Sequence, residues 1–323
     1  PVVGPSVGGL RHADHVKPHV PGRPHAQGLD ARRVTSAVEV VRHLGCVQSQ
    51  LHDMALWAVA RRTIGLTLAD LQSAFDRGDF LRTHVLRPTW HYVDPADIHW
   101  LMTLTAPRIR QLMTSSWKSL GLTPQLIDRG GEVIVETLDD GEPHTRAELA
   151  VSLGAAGLEA GGTHVVHQVM NAEISQLIVN GPMRGKQHTY VRLDSVVEAP
   201  PAQPRDELLA LAARRYARGH GPFRDKDLAW WSSLTLTDSR RAIELGGLRP
   251  LDLDGQSYWM HDEPVETEVP TVMLLSNFDE YISYARDPED YASVGDTAGE
   301  LMRSSGLLVL DGRLAGSWTR NVK

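Results

Sequence analysis

Gln48 and Gln50, separated only by Ser49, are the residues whose type and spacing best suit chemistry in this chain. A carboxamide carries one acceptor oxygen and two N–H donors and has no useful pKa. It can hold and orient a water molecule but is a poor general base. Side chains at i and i+2 stand roughly 200° apart around a helix, yet on the same side of an extended segment. The two amides can therefore meet on one water only if the chain after Gly45 is not helical. Two solvated glutamines at a helix end account for the same residues. His91, in Thr89-Trp90-His91, suits contact with a phosphate or base, or a structural hydrogen bond. Asp53 suits either stabilisation of positive charge or capping of a helix that begins near Met54. Cys46 has no identifiable imidazole or basic neighbour to activate its thiol and reads as a small buried residue. Asp279 and Glu280 read as ordinary salt-bridge partners. His12, His15, His19 and His25 come without a cysteine or carboxylate framework, so no metal site is expected there. There is no phosphate-cradling glycine loop and no Ser-His-Asp pattern, so neither a nucleotide nor any other cofactor is expected.

These residues must be positioned by secondary structure. Residues 1–28 hold Pro, Gly and His without apolar periodicity and read as a flexible tail. Val34, Val38, Val41 and Leu44 then recur at helical spacing up to Gly45, which can end a helix. Thr67-Leu68-Ala69-Asp70 has the pattern of a capping box. Phe80 to Val93 alternates and is rich in Thr, Val, Trp and Tyr, a strand signal broken at Pro88. Residues 142–197 predict a short capped helix at His144–Leu149, then a long helix whose apolar face runs from Val166 to Ile178. That helix is expected to stop at Asn180-Gly181-Pro182, with two short strands following around Gly185-Lys186-Gln187-His188. Helix, turn, longer helix and two-stranded wing is the order of a winged helix, or of any small α+β hairpin module. The run Ala199-Pro200-Pro201-Ala202-Gln203-Pro204 marks a linker. Residues 205–262 repeat the scheme and close with a hairpin around Asp254-Gly255. Thr271 to Leu275 reads as a buried strand, and Leu307 to Trp318 as a hairpin turning at Asp311-Gly312. The expected division is a tail at 1–28, modules at 29–130 and 131–199, and a third module with C-terminal hairpins at 205–323.

The 323 residues carry a net charge of −7, which argues against a histone-like coat on nucleic acid. The charge is uneven, however. Residues 29–120 hold 11 Lys and Arg against 8 Asp and Glu, whereas residues 250–300 hold one Arg against 13 acidic residues. A polyanion would therefore be met by the earlier segments. No run of about 18 apolar residues suggests a membrane span, and the first residues do not have the layout of a signal peptide. Cys46 is the lone cysteine, so a reducing cytoplasm is the expected location.

Five strings, in order, carry a resemblance. They are Leu44-Gly45-Cys46-Val47-Gln48-Ser49-Gln50, Arg82-Thr83-His84-Val85-Leu86-Arg87-Pro88-Thr89-Trp90-His91, and Asp227-Leu228-Ala229-Trp230-Trp231-Ser232 with Leu236-Thr237 after it. Leu274-Leu275-Ser276-Asn277-Phe278-Asp279-Glu280-Tyr281 and the hairpin Leu308 to Trp318 complete the set. Together they make the chain similar to the winged-helix DNA glycosylases of the AlkZ and YcaQ family. The resemblance implies an α+β fold of three tandem winged helices curved around duplex DNA, with a β-rich C-terminal portion. It also implies hydrolysis of the N-glycosidic bond of an alkylated base such as N7-alkylguanine, directed by a Gln-x-Gln motif that Gln48 and Gln50 match. That form of the motif resembles the branch linked to self-resistance against DNA-alkylating antibiotics, which extends the expected lesions to interstrand crosslinks. His91 and Asp53 are expected as supporting residues. Arg61, Arg62, Arg87, Arg184, Lys186 and Arg214 are expected to contact phosphates. A transcription regulator of winged-helix type, or an interaction module without nucleic acid, is the competing expectation. Gln-x-Gln lies outside any recognition helix, which favours catalysis.

Overall fold

The computed structural model describes residues 20–30, 34–265, 268, 270–284 and 288–319. After the short helix α1 (Arg23–Ala26), the chain forms α2 (Ala37–Leu44), β1 (Cys46–Gln48), α3 (His52–Ala60), α4 (Leu68–Asp76), β2 (Leu81–His84) and β3 (Trp90–Val93). The three strands make an antiparallel sheet in the order β1-β3-β2, with Gln48 opposite His91. Thr67 and Asp70 form the expected capping box on α4. Val41, Leu44, Val47, Leu56, Phe75 and Tyr92 fill the core beneath this sheet.

The long helix α5 (Ile98–Ser119) leads to α6 (Pro124–Thr137), β4 (His144–Thr145), α7 (Arg146–Ala155), α8 (Gly162–Ile174), β5 (Ile178–Asn180) and β6 (Thr189–Arg192). This sheet has the order β4-β6-β5, so helix, strand, helix, helix and hairpin recur with the same strand pairing as in the first unit. Next come α9 (Arg205–His220), α10 (Asp225–Ser232), α11 (Leu236–Gly246) and the hairpin β7 (Arg249–Leu253) with β8 (Gln256–Met260). Here the first strand shrinks to one bridge, Phe223 opposite Trp259. A last sheet, ordered β11-β10-β9, comprises β9 (Val272–Leu275), β10 (Gly306–Leu310) and β11 (Arg313–Trp318). The helices α12 (Glu280–Ser283) and α13 (Ala298–Ser304) lie between β9 and β10 in the chain.

Several expectations need correction. The long helix of the second unit stops at Ile174 rather than near Asn180, and Ile178 to Asn180 is itself a wing strand paired with β6. The β-branched pair Ile178-Val179 favours a pleated, buried surface over a further helical turn. The boundary at 130/131 cuts α6, whose Val133 and Ile134 pack with Leu149, Val165 and Val169 of α7 and α8; α6 belongs wholly to the second unit. Residues 20–28 are packed, not a free tail. Val20 is buried, and the buried Arg23 meets Asp290 at 2.8 Å. His25 pairs with Asp30 at 2.6 Å, while His12, His15 and His19 lie outside the described residues. Val272–Leu275 buries only alternate residues, as a strand with one face covered does. Among the described residues, no helix is long and apolar enough to cross a membrane and no cluster of acidic, His or Cys side chains is placed to hold a metal ion.

Candidate functional site

Gly45 sets the path of the glutamines. Its φ of 79° ends α2 and lies in the region that glycine enters at little cost, and an added Cβ would stand 3.4 Å from the Trp231 ring. The chain leaves it extended. Along β1, Val47 turns into the core of the first unit, while Cys46 turns into a second core shared with α5, α9, Trp231 and Tyr284. Period-two alternation puts Gln48 on the Cys46 side. The backbone of β1 is thus non-helical, but the strand ends at Gln48, and Gln50 lies in a bend beyond it.

Gln48 is 8% exposed. Its Oε1 accepts from Arg87 Nη2 at 2.5 Å and from the Tyr284 hydroxyl at 2.7 Å. Arginine offers only donors, so the amide oxygen must face it and the NH2 group must point the other way. Arg87 also donates to the Tyr284 oxygen, with its guanidinium carbon 4.4 Å from the centre of the Tyr284 ring. Beneath the strand, the Gln48 backbone N–H donates to Glu280 Oε1 at 2.8 Å. Glu280 is 1% exposed, and burial pushes its carboxyl up to about 8, against the pull of the Gln48 N–H and Arg87. Its second oxygen lies 3.3 Å from Nε2 of the buried His220. Burial holds His220 well below the usual imidazole range, with the charge of Arg62 adding to the effect.

His91 is fully buried. Burial first, then the neighbouring Arg87, push its pKa well down, so the ring is neutral. Its Nδ1 lies 3.1 Å from the Thr89 carbonyl and its Nε2 3.4 Å from Arg87 Nη2. A proton on Nδ1 leaves Nε2 to accept from Arg87. His91 therefore supports Arg87 and, through it, Gln48; it does not reach out to a phosphate.

Gln50 has the opposite setting. It is exposed, with one long contact, from Thr89 Oγ1 at 3.4 Å. It lines a cavity of about 520 Å³ between the first and second units, with Trp90, Arg146, Lys186, His188 and Tyr190 among its other walls. No Asp or Glu lines this cavity. Arg146 and Lys186 are exposed and make no ion pair with a described carboxylate. Arg82 ties the two units together underneath. It is buried, donates to the Ser49 carbonyl at 3.0 Å and to Asn180 Oδ1 at 2.5 Å, and lies 4.6 Å above the Trp90 ring. The β5–β6 hairpin is pinned to α4 by Met183 N–H to Asp76 Oδ1 at 2.8 Å, and His188 sits edge-on to His52 with ring centres 5.1 Å apart.

The remaining candidates fall into different places. Arg62 is not a phosphate contact: it is 3% exposed and makes two bonds to Asp279, at 2.8 and 3.1 Å, and two to Gln27. Arg87 is likewise turned inward onto Gln48. Arg184 stands at the surface but already pairs with Glu148 at 2.7 Å. Arg61 and Arg214 are half-buried on α3's end and α9 and are not among the cavity's walls; of the expected phosphate contacts, Lys186 alone lines it. Asp53 neither caps α3, whose cap residue is Leu51, nor faces the cavity. It is exposed in the first turn, along a separate apolar groove with Leu51 and Trp57. Cys46 is fully buried and its thiol pKa is raised by that burial. Asp279 has the expected ion pair, but Glu280 receives Gln48 instead. Tyr284, Arg82 and Arg146 were not singled out by the sequence. Tyr284 lies just past the fourth matched string, and Arg82 inside the second.

A family profile described as DNA glycosylase AlkZ-like matches residues 41–323. A relative from Streptomyces sahachiroi, named "Interstrand DNA cross-link repair glycosylase", is 26% identical over 330 residues, which span 92% of this chain and 85% of that protein. The solved structure of Streptomyces sahachiroi DNA glycosylase AlkZ superposes with a TM-score of 0.78 at 23% identity, covering 92% of this chain and 86% of that one. At that identity the structural likeness concerns the fold. The family match takes in all the residues built around Gln48 and Gln50, and the chain belongs to the AlkZ-like DNA glycosylases, enzymes that act on N-glycosyl bonds.

Proposed function

We propose that Gln48 and Gln50 place the hydrolytic water for excision of a cationic N7-alkylguanine from duplex DNA, including guanines tied into interstrand crosslinks. The observation that carries this reading is the cavity lining: the exposed Gln50, the exposed Arg146 and Lys186 without carboxylate partners, and no acid. Hydrolysis of an N-glycosidic bond needs a water near C1′, stabilisation of an oxocarbenium ion, and a base able to leave. A neutral base such as uracil leaves poorly without acid or strong electrostatic help. A base alkylated at N7 is already cationic, so departure neutralises it and no acid is required. Water placement then supplies much of the remainder, since orientation alone can be worth up to about 7–11 kcal/mol.

The bonding of Gln48 supports a division of roles. Its oxygen is occupied by Arg87 and Tyr284, so its NH2 donates to the water oxygen. One hydrogen of the water then bonds to Gln50 Oε1, and the proton that the water loses on adding to C1′ passes to solvent, since neither amide is a base. Lys186 and Arg146 hold phosphates across the cavity mouth, and the wing bearing Lys186 positions the duplex without doing chemistry. In this reading the three repeats of helix, helix and hairpin are winged helices, and the name of the Streptomyces relative, a crosslink repair glycosylase, favours bulky lesions as substrates. The test is abasic-site formation on two duplexes, one with N7-methylguanine and one with uracil. Excision of the first only is expected; efficient uracil release overturns the proposal.

A further inference from the structure

A second cleft lies away from the glutamines, where the end of α5, the first turn of α6 and the last turn of α8 meet. Its volume is about 560 Å³, within the range of small-ligand sites. Val165 of α8 lines the Gln50 cavity and Asn171 lines this cleft. Six residues along a helix amount to about 9 Å of rise and roughly 120° of net rotation, so the two sites open on different faces.

The walls are chemically specific. Asn171 is 5% exposed, and its carboxamide makes no hydrogen bond to a described residue although its backbone carbonyl does. Its amide atoms are not closed off from solvent, so the open cleft is where they meet a partner. Trp117, half-buried on the same cleft, has a ring N–H that is buried without a partner, which ordinarily costs about 1–3 kcal/mol. Leu122 and Ile127 add apolar floor. Arg110 is held in place by its bond to Ser175 Oγ at 2.8 Å, and the exposed Lys118 makes no ion pair with a described carboxylate. The start of α6, a helix of 14 residues, opens on the same space, but Pro124 has no N–H and the Leu126 and Ile127 N–H groups are taken by Thr123, so the two cations are the donors there. Asp128 is the acidic member of the lining.

An indole, an amide with donor and acceptor but no protein partner, and a rim with two cations match three parts of one ligand. A base stacks on the indole. The carboxamide pairs with the base edge, as asparagine does with adenine N6 and N7. The cations take a phosphate. We propose that this cleft binds a nucleoside monophosphate unit, its base on Trp117 and Asn171 and its phosphate between Lys118 and Arg110.

The test is calorimetric titration of the full chain with deoxyadenosine monophosphate, deoxyadenosine, orthophosphate and a 5′-phosphorylated tetramer of deoxyadenosine. Saturable binding of the monophosphate is expected, with weaker binding of its two halves. Trp117→Ala should weaken it by about tenfold or more, the scale of one lost base stack. Asn171→Ala should weaken it by several-fold. Lys118→Ala, an exposed change that keeps the test alive should the buried variant misfold, should weaken the monophosphate but not deoxyadenosine. Tighter binding of the tetramer would identify a strand as the natural source, and equal binding a free nucleotide. Absence of saturable binding, orthophosphate binding as well as the monophosphate, or wild-type affinity in Trp117→Ala would overturn the proposal. Gln50→Ala should bind the monophosphate as wild type does, so the outcome is independent of the glutamine chemistry.

Discussion

Gln48 and Gln50 are two residues apart and identical in type, yet their surroundings have almost nothing in common. Behind Gln48 the protein is closed, and the amide oxygen is held from two sides. Arg87, Tyr284, Glu280 and His220 come from three separate stretches of chain and converge on one strand end. Around Gln50 the surface is open, cationic and without carboxylates. The difference separates a residue whose geometry is fixed by the fold from one free to meet a substrate. It also sorts the cations. Arg62 and Arg87 are internal ties, while Lys186 and Arg146 remain available at the cavity.

The sharpest way to break that sorting is to remove one cation of each kind. Arg62→Ala should cost about 3–5 kcal/mol of stability, because it strands the buried Asp279; a denaturant titration reads it. A loss under 1 kcal/mol would return Arg62 to the surface class. Tyr284→Phe tests the inner wall more gently. It removes one bond to the Gln48 oxygen, worth about 0.5–1.5 kcal/mol. Single-turnover excision should slow by up to about tenfold while duplex affinity is unchanged; an unchanged rate would show that the amide is held without it.

At the outer wall, Lys186→Ala should leave melting temperature and saturated single-turnover rate near wild type. It should make the slope of log affinity against log salt shallower by about 0.9, one phosphate's share. Binding that stays flat between low and physiological salt in wild type would remove DNA phosphates as the contact. The smallest effect concerns Glu280. Its pKa rises from 4.5 to about 8 on folding, so the folded state holds a proton the unfolded state has released, and stability falls as pH rises through that interval. The lowered histidines His91 and His220 act oppositely, but only below about pH 6.5. Glu280→Gln should therefore gain stability relative to wild type between pH 6.5 and 8 in thermal melts. Parallel melting curves across that window would rule out a buried titrating Glu280.

The local elements were legible where the signal is local. The Thr67 capping box, the hairpin at Asp311-Gly312 and the proline linker at 199–204 depend on neighbours in sequence, and each stands where it was expected. The end of α8 was misplaced because Leu177 and Ile178 extend a helical apolar stripe that is in fact completed by strand pairing. The glutamine pair was picked out by the motif, and the non-helical backbone at Gln48 by the spacing, but the two side chains part, Gln48 onto Arg87 and Tyr284 and Gln50 onto the cavity. What surrounds it was not legible. Nothing in Leu274 to Tyr281 reveals that Glu280 crosses 232 residues of chain to meet the Gln48 N–H, or that Tyr284 does the same. Arg62 and Arg87 were assigned to phosphate because a sequence gives charge but not burial.

The central claim is that both amides act together on a substrate whose base already carries the charge. Single-turnover release of N7-methylguanine from a duplex, at enzyme concentrations that saturate binding, measures it most directly in wild type, Gln48→Ala, Gln50→Ala and the double variant. The account predicts a loss of about 10²-fold or more in the double variant, the scale on which removal of a positioned catalytic group is felt. Each single variant should also be slowed, with binding to undamaged duplex near wild type throughout. Full excision activity in the double variant would contradict it.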